Sequence, residues 1–450
     1  MTQSQKVFVT LRKMKTIILT TITATLLTSV SLPLRSANPT PADPFVAVTD
    51  QAQAAEWQNC RSVLEVYSMD KNQGRTLLES EPGSGARYRR ALEMAKAGSA
   101  HLEILSGLTT KSGNKCVLEA VNEIPSPLKA QPAISKTSAP EASEIQVQLA
   151  GDILEFDVLL NADRRTSDVN IVTQRVSFLG FETIGTAPSS PATAQARFST
   201  RRSTYSGNLP VGEPFFLGSF GSAEVEDSVR LAFLHLFVVQ PTAEEQKRVV
   251  QAKQWALEYS FYAVQSALAR EILLAPELGA PWAKLQAAQE HARFEQLISL
   301  SATNGPRVLA EQIQKISYAA NPWGGDLGTP KPGTGTSSKP STPAVTSSLS
   351  TRNVGTTVEL EATANGVSGG GIDLIHALNR TSHLGELKAE GMPASSMPVP
   401  WFEVQKILSC QTVLPGTPNL VGTFNPSPAG PRNEEGRTWL VFVRATPNVP

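Results

Sequence analysis

The sequence predicts an α+β protein built from two tandem, diverged copies of one unit. Each copy carries short helices and a β-rich core, mixed or antiparallel, and Pro/Gly/Ser-rich linkers join the parts. Three observations carry this. Two long stretches of the 450-residue chain match in order at a near-constant offset. Alternating apolar and polar runs of strand length dominate both stretches. Segments of almost pure Gly, Pro, Ser and Thr interrupt them.

The match is densest in the β-rich part. Leu154-Glu155-Phe156-Asp157 corresponds to Val358-Glu359-Leu360-Glu361, an offset of 204. Phe198 and Phe402, Gly212 and Gly416, Pro214 and Pro418, Gly218 and Gly422, and Phe220 and Phe424 keep that offset. LPVGEPFFLGSF in one copy thus reads VLPGTPNLVGTF in the other. Between these blocks, Val169–Val172 is set against Ile372–Ile375, and His376 against Thr173. Leu179-Gly180 is set against Leu384-Gly385. Phe233–Phe237 and Trp439–Val443 are the closing apolar strands. Upstream the offset is 192, with Gly113 on Gly305, Glu103 on Glu295 and Glu119 on Glu311. An ordered series with small insertions marks a repeat, in which each copy is one structural unit. The expected organisation is a signal peptide at 1–36, a disordered segment at 37–56 and a first unit at 57–241. A connecting helix at 242–254 and a second unit at 255–447 follow, the latter with a flexible linker at 324–350.

Taken in order, Lys6, Arg12, Lys13 and Lys15 precede an uncharged apolar stretch from Thr16 to Leu34. Small and polar residues come next, the pattern of a secretory signal. Met14 is a second candidate start. The threonines make this segment a poor permanent membrane span. Ser62–Ser68 alternates as a strand. A short helical stretch and a helix over Ala86–Ala97 follow. Leu102–Thr110 and Cys116–Ile124 read as a hairpin about Lys111-Ser112-Gly113-Asn114, a turn-forming tip. Pro125–Ser143 is a linker, and four or five strands come after it. Thr242-x-x-Glu245 has the form of a capping box. Gly324–Ser350 cannot bury apolar surface and is expected to be flexible.

Lys+Arg and Asp+Glu balance at 40 each, so no global attraction to nucleic acid or an anionic membrane is expected. Arg164-Arg165 and Arg201-Arg202 read as solvated surface. The five histidines, His101, His235, His291, His376 and His383, lack the HExxH spacing of a helical zinc site. His235 lies in an apolar strand and reads as a satisfied core residue. Cys60, Cys116 and Cys410 form no CxxC pair, so neither a metal nor a cofactor is expected. Cys60 and Cys116 are either a disulfide pair or two small buried residues. Gly369-Gly370-Gly371 is a turn before a strand rather than a phosphate cradle. Glu224, Glu226 and Asp227 read as a solvated loop, and Glu155, Asp157, Glu359 and Glu361 as outward strand positions. The shared Gly113, Gly305, Gly212, Gly416, Pro214, Pro418, Gly218 and Gly422, with the shared apolar strand positions, report folding. No catalytic constellation is shared, and the chain is expected not to be an enzyme.

The order of motifs is itself informative. Ile104-Leu105-Ser106 leads to a strand ending Glu123-Ile124-Pro125. Gly355-Thr356-Thr357-Val358 opens an alternating strand. Gly212 with Gly218, and Gly416 with Gly422, form glycine turns before a closing apolar strand. This series resembles the C-terminal core of bacterial secretins, the outer-membrane ring proteins of type II and III secretion and type IV pili. The resemblance implies a mixed α/β fold, an exported location in the periplasm or outer membrane, and edge strands suited to pairing. It further implies protein partners in the cell envelope or self-association through those edges, with outer-membrane association. Two departures stand out. A secretin carries one core per chain, and only Gly221–Arg230 fills the place of the family's segment before the last strand. The expected role is assembly or protein binding related to secretion. The alternative is a periplasmic module that clasps a ligand or partner.

Overall fold

The computed structural model describes residues 59–127, 145–184, 193–221, 227–246, 252, 254–319, 349–364, 371–387, 399–427, 434 and 436–448. The expected signal segment, most of both linkers and the Glu224/Glu226 loop lie outside them.

The described chain is mostly β, with few short helices. Strand β1 (Asn59–Asp70) is followed by α1 (Lys71–Ser80) and α2 (Ser84–Lys96). Then come β2 (Ala100–Lys111), β3 (Lys115–Pro127), β4 (Ile145–Leu160), β5 (Thr166–Ile184), β6 (Thr193–Pro210), β7 (Pro214–Gly221) and β8 (Ser228–Val238). After α3 (Ala243–Gln246), the chain forms β9 (Gln254–Gln265), α4 (Ser266–Leu273) and α5 (Ala280–Ala287). It finishes with β10 (Arg293–Thr303), β11 (Arg307–Ala319), β12 (Leu349–Ala364), β13 (Ile372–Leu387), β14 (Val399–Val413), β15 (Asn419–Phe424) and β16 (Arg437–Asn448).

Two eight-stranded sheets result. The first runs β10-β9-β16-β15-β2-β1-β8-β7, the second β11-β12-β13-β14-β3-β4-β5-β6. In each, the second four strands repeat the order of the first four with every number lowered by eight. All the strand pairs are antiparallel.

Strand β1 shows why the layers form. Cys60, Leu64 and Val66 join a core with Phe156, Val169, Leu234, Phe261, Leu360 and Val441, drawn from both sheets. The alternate residues Val63, Tyr67 and Met69 point the other way, under helices. Asp70 caps α1 by accepting from the backbone N–H groups of Asn72 (2.8 Å) and Gln73 (3.2 Å). Pro82 discourages helix at Glu81, where α1 has ended. Helix α2 buries Tyr88, Ala91 and Met94, one face at helical spacing. Each large apolar side chain so buried contributes about 1.5–3 kcal/mol. Helices α4 and α5 cover the same sheet further along, with Ala269, Ile272, Leu273 and Leu285 in one cluster. Gly74 lets α1 lie close to β8, because a Cβ there would stand 2.2 Å from Val229 Cγ1.

Several expectations change. β2 and β3 are not a hairpin: β2 pairs with β1 and β15, and β3 with β4 and β14. The turn at Gly113 (φ 83°) instead carries the chain from one sheet to the other. Its N–H donates to Val158 O at 2.7 Å, and Gly305 N–H donates to Ala362 O at 2.8 Å. The match of Val169–Val172 to Ile372–Ile375 slips by two residues. Val169 faces Val158, and Leu374 faces Ala362, so Leu374 holds the place of Val169. By the same register His376, opposite Leu360, takes the place of Ile171, opposite Phe156, and not that of Thr173. A two-residue slip keeps the buried face and so leaves no trace in an apolar pattern.

Thr242 and Glu245 do form a capping box. Thr242 N–H donates to Glu245 Oε2 at 2.7 Å, and Glu245 N–H to Thr242 Oγ1 at 3.3 Å. The described helix that follows covers only Ala243–Gln246. No disulfide joins Cys60, Cys116 or Cys410, so Cys60 and Cys116 are small buried residues rather than a bridge. Burial pushes the first two well up and Cys410 to about 11.

Candidate functional site: the internal junction and the open edges

The two strand sets meet along β14–β3 and β15–β2. On β14 and β3, Phe402 faces Glu123, Val404 faces Val121 and Leu408 faces Val117. Lys406 Nζ lies 3.3 Å from Glu119 Oε1 across the joint. On β15 and β2, Gly422 faces Leu108, and a Cβ on Gly422 would stand 2.9 Å from Gly107 O. Glycine is what lets these backbones approach. Side chains bind the joint further. Asn59 Nδ2 donates to Thr412 O at 2.7 Å, and Thr412 N–H returns a bond to Asn59 Oδ1 at 3.0 Å. Lys111 Nζ and Asp373 Oδ2 are 2.7 Å apart.

Beneath the helices the joint holds a buried ionic cluster around Glu65 of β1. Its carboxylate takes Arg270 Nε of α4 at 2.9 Å and the Tyr88 hydroxyl of α2 at 3.0 Å. The Tyr67 hydroxyl also donates to it, and His235 Nε2 lies 3.4 Å away. Arg270 donates in turn to the Tyr88 hydroxyl. Burial lowers the His235 pKa to about 4, which leaves the ring neutral. Nearby, Arg61 of β1 donates to the carbonyls of Leu273 and Ala275 at the end of α4, where the helix dipole favours a cation. Burial brings Arg61 down to about 9, still charged at neutral pH. This cluster brings Glu65, Tyr67, Tyr88, His235 and Arg270 together beneath the helices. It is closed by its own members and anchors α4 to β1.

His376 is buried elsewhere, its Nδ1 3.2 Å from the Tyr259 hydroxyl, and burial lowers its pKa to about 3. Among the described residues no group of three or more His, Cys, Asp or Glu side chains is placed to hold a metal ion. Glu155 pairs with Lys115 at 2.6 Å, and Glu359 with Arg307, on the half-exposed outer face.

Two clefts open between the sheets, of about 900 and 830 Å³. Glu103, Gly151 and Phe178 line the first, and Glu295, Gly355 and His383 line the second in the same places. In the first, Glu103 is held by Arg230 at 2.6 Å and Arg175 at 2.9 Å.

Among the described residues the sheets end on strands with one paired side only: β6 and β7 at one end, β10 and β11 at the other. Their exposure differs sharply from that of the joint. Leu105 of β2 and Val121 of β3 are each 3% exposed. Leu297 and Ile313, 192 positions later on β10 and β11, are 50% and 36% exposed. Phe294 and Leu309 beside them are 55% and 50% exposed. Bare apolar side chains beside unpaired N–H and C=O groups mark an edge built to be covered.

The shared glycines and prolines fall where chain direction changes. Gly113 and Gly305 cross between the sheets. Gly212 and Gly416 donate to Leu236 O at 2.7 Å and Ala445 O at 2.8 Å. Pro214 opens β7, and Pro418 stands just before β15. Gly218 and Gly422 sit at register shifts in those strands. The sequence analysis named Gly355 only as the opening of a strand and did not pair it with Gly151, again 204 apart. Both have positive φ, 148° and 135°, and a Cβ would stand 2.1 and 2.0 Å from Ala120 O and Gln312 O. It also missed Glu65, Arg61 and Arg270. The signal present was a charge inside the apolar strand CRSVLEVYSM, which required a buried partner.

No family model matches the chain, and none of the curated proteins matches it. Solved structures similar to part of it include the Klebsiella pneumoniae type II secretion system outer membrane complex of PulD, PulS and the PulC HR domain. There the identity is 12%, with 42% of this chain and 40% of that chain covered, at a TM-score of 0.22. Aeromonas hydrophila ExeD is 12% identical over 40% of this chain and 46% of that chain, at a TM-score of 0.19. This chain spans less than half the length of either.

Proposed function

We propose that this chain is a non-enzymatic, exported cell-envelope protein made of two tandem, duplicated secretin-like units. It acts in assembly or protein binding, in the periplasm or at the outer membrane, in connection with protein secretion. The observation that carries this reading is the edge formed by β10 and β11, whose apolar residues lie bare where those of β2 and β3 are covered. A partner strand added to such an edge gains main-chain hydrogen bonds for affinity and flanking side-chain contacts for specificity. The recurring strand order and the matched glycine geometries support the duplication. The enclosure of the Glu65 carboxylate by four partners supports a structural role for it.

The test places a photo-crosslinking amino acid at Leu309 in cells making the full chain. A protein adduct in the envelope fraction is the expected result. A chain that stays in the cytoplasm, or that reaches the envelope and gives no adduct, sinks the reading. The clefts favour a second reading, a periplasmic module binding a small ligand. A melting-temperature shift across a metabolite panel tests it, and a flat panel removes it.

A further inference from the structure

We propose that the larger cleft, between β2 and the inner face of β14, β3, β4 and β5, takes a neutral sugar held by side chains alone. This rests on the reading of the clefts as ligand sites and names the class of ligand.

At about 900 Å³ the cleft has the size of a small-molecule site. Its floor is laid by β14, β3, β4 and β5, four successive strands of the second sheet, each paired on both sides. Their backbone N–H and C=O groups are committed to the sheet, so an extended peptide gains no main-chain bonds there. Recognition falls to side chains.

The inward charges are committed as well. Arg175 pairs with Glu103 at 2.9 Å and with Asp152 at 3.4 Å, and Arg230 holds Glu103 from the other side. Arg270 holds Glu65, Glu434 pairs with Arg293, and Glu403 accepts from the Ser427 N–H. Lys96 and Glu271, of opposite sign, line the cleft from exposed positions. A charged ligand therefore meets no buried counter-charge.

Two neutral groups are left over. Asn122 Oδ1 and Trp401 Nε1 are buried and have no hydrogen-bond partner among the described residues, and both residues line the cleft. One accepts and the other donates. A buried indole N–H ordinarily has a partner, and an orphaned buried polar atom calls for one. A hydroxyl can donate to the first group and accept from the second. Apolar surface lies beside them, where Trp401 and Phe178 pack against Ile124 and Ala150. A pyranose ring carries both complements, hydroxyls around its rim and C–H groups on its faces.

The repeat supplies an internal control. In the smaller cleft, Gln296 Nε2 donates to Gln312 Oε1 at 2.7 Å, and Thr356 Oγ1 donates to Gln296 Oε1 at 2.8 Å. These bonds tie β10 of one sheet to β11 and β12 of the other and span the cleft. In the larger cleft the matching positions are Ile104, Ala120 and Asp152, at offsets of 192, 192 and 204. Ile104 and Ala120 carry no side-chain polar group, so no bridge forms. The space stays open in one copy and is crossed in the other.

Calorimetric titration and melting temperature of the purified full chain test this. The probes are maltose, cellobiose, lactose and diacetylchitobiose at millimolar concentration. Glucuronic acid and glucosamine serve as charged counterparts, and uncharged tripeptides as a peptide control. At least one neutral disaccharide is expected to bind and raise the melting temperature. Asn122→Leu and Trp401→Phe, which each remove one orphan group and keep the bulk, are expected to weaken that binding about fivefold to tenfold. Asn122→Leu should do so without lowering the melting temperature of the free protein, because it removes a buried acceptor that has no partner. A purely structural asparagine would not separate the two readouts. Ala120→Gln, which installs the side chain of the crossed cleft, is expected to abolish binding. Gln312→Ala in the other cleft is expected to leave it unchanged. Sugar binding that survives both Asn122→Leu and Trp401→Phe, or tighter binding of a charged sugar than of any neutral one, overturns the proposal. If tripeptides or another metabolite bind and no sugar does, the cleft is a ligand site and only the class is wrong. If nothing binds, the ligand-site reading fails with it.

Discussion

The joint between β3 and β14 and the open edge on β11 place corresponding strand positions in two situations. At the joint, Val121 is buried and Glu119 meets Lys406. At the edge, Ile313 and Glu311 hold the corresponding places in solvent. Strand geometry, glycine placement and charge sign persist without a neighbour; burial alone does not. The edge chemistry is therefore written into each strand set, and the neighbour only covers it. What is particular to the joint is the helix-side cluster, where β1 supplies Arg61 and Glu65 and α4 supplies Arg270.

The largest expected effect sharpens that difference. Glu65→Ala leaves Arg270 without its buried partner and is expected to cost about 3–5 kcal/mol, read by chemical denaturation. Ser260→Ala, at the corresponding position of β9, is expected to cost less than about 1 kcal/mol. Equal costs would mean that the cluster does not distinguish the joint.

Acid should act through the two buried histidines. Each has its folded pKa depressed below the unfolded value, so the unfolded state binds protons first as pH falls. Stability is fully present above the unfolded pKa of about 6.5 and declines toward pH 4, by about 3 kcal/mol for each histidine. His376→Ile, which installs the residue type of Ile171, should remove about half of that slope. A slope unchanged by this substitution would place the acid sensitivity elsewhere.

Smaller effects are expected at the paired glycines. Gly151→Ala and Gly355→Ala each force a Cβ toward a carbonyl oxygen at positive φ. Each is expected to cost about 2–3 kcal/mol, and the two costs should agree. Gly385→Ala, at φ 123° with open space, should cost about 1 kcal/mol. Unequal costs at Gly151 and Gly355 would break the equivalence of the two strand sets.

The strands, the helix at α2, the capping box and the order of the turns were legible because each depends on local pattern. Alternation marks Ser62–Ser68 and Leu154–Asp157, and Thr242 with Glu245 satisfies its own helix end. Two kinds of feature were not legible. Sheet membership at Gly113 depends on which distant strands occupy the edges of β2 and β3, so a turn with hairpin chemistry became a crossing between sheets. The Glu65–Arg270 contact spans the two strand sets, and neither residue alone announces its partner. The balance toward β was also understated, since the helices remain short beside strands of up to 19 residues.

The smallest expected effect bears most directly on the comparison. Lys406 and Glu119 form a partly exposed ion pair, of a kind that contributes at most about 1 kcal/mol. Lys406→Ala should lower the stability of the isolated chain by no more than that, at any protein concentration. Arg202→Ala removes the corresponding cation at the open edge, where the isolated chain has nothing to lose. Its unfolding midpoint at low concentration should match wild type. A loss at Arg202→Ala as large as that at Lys406→Ala would mean that the open edge already holds a contact equivalent to the one at the joint.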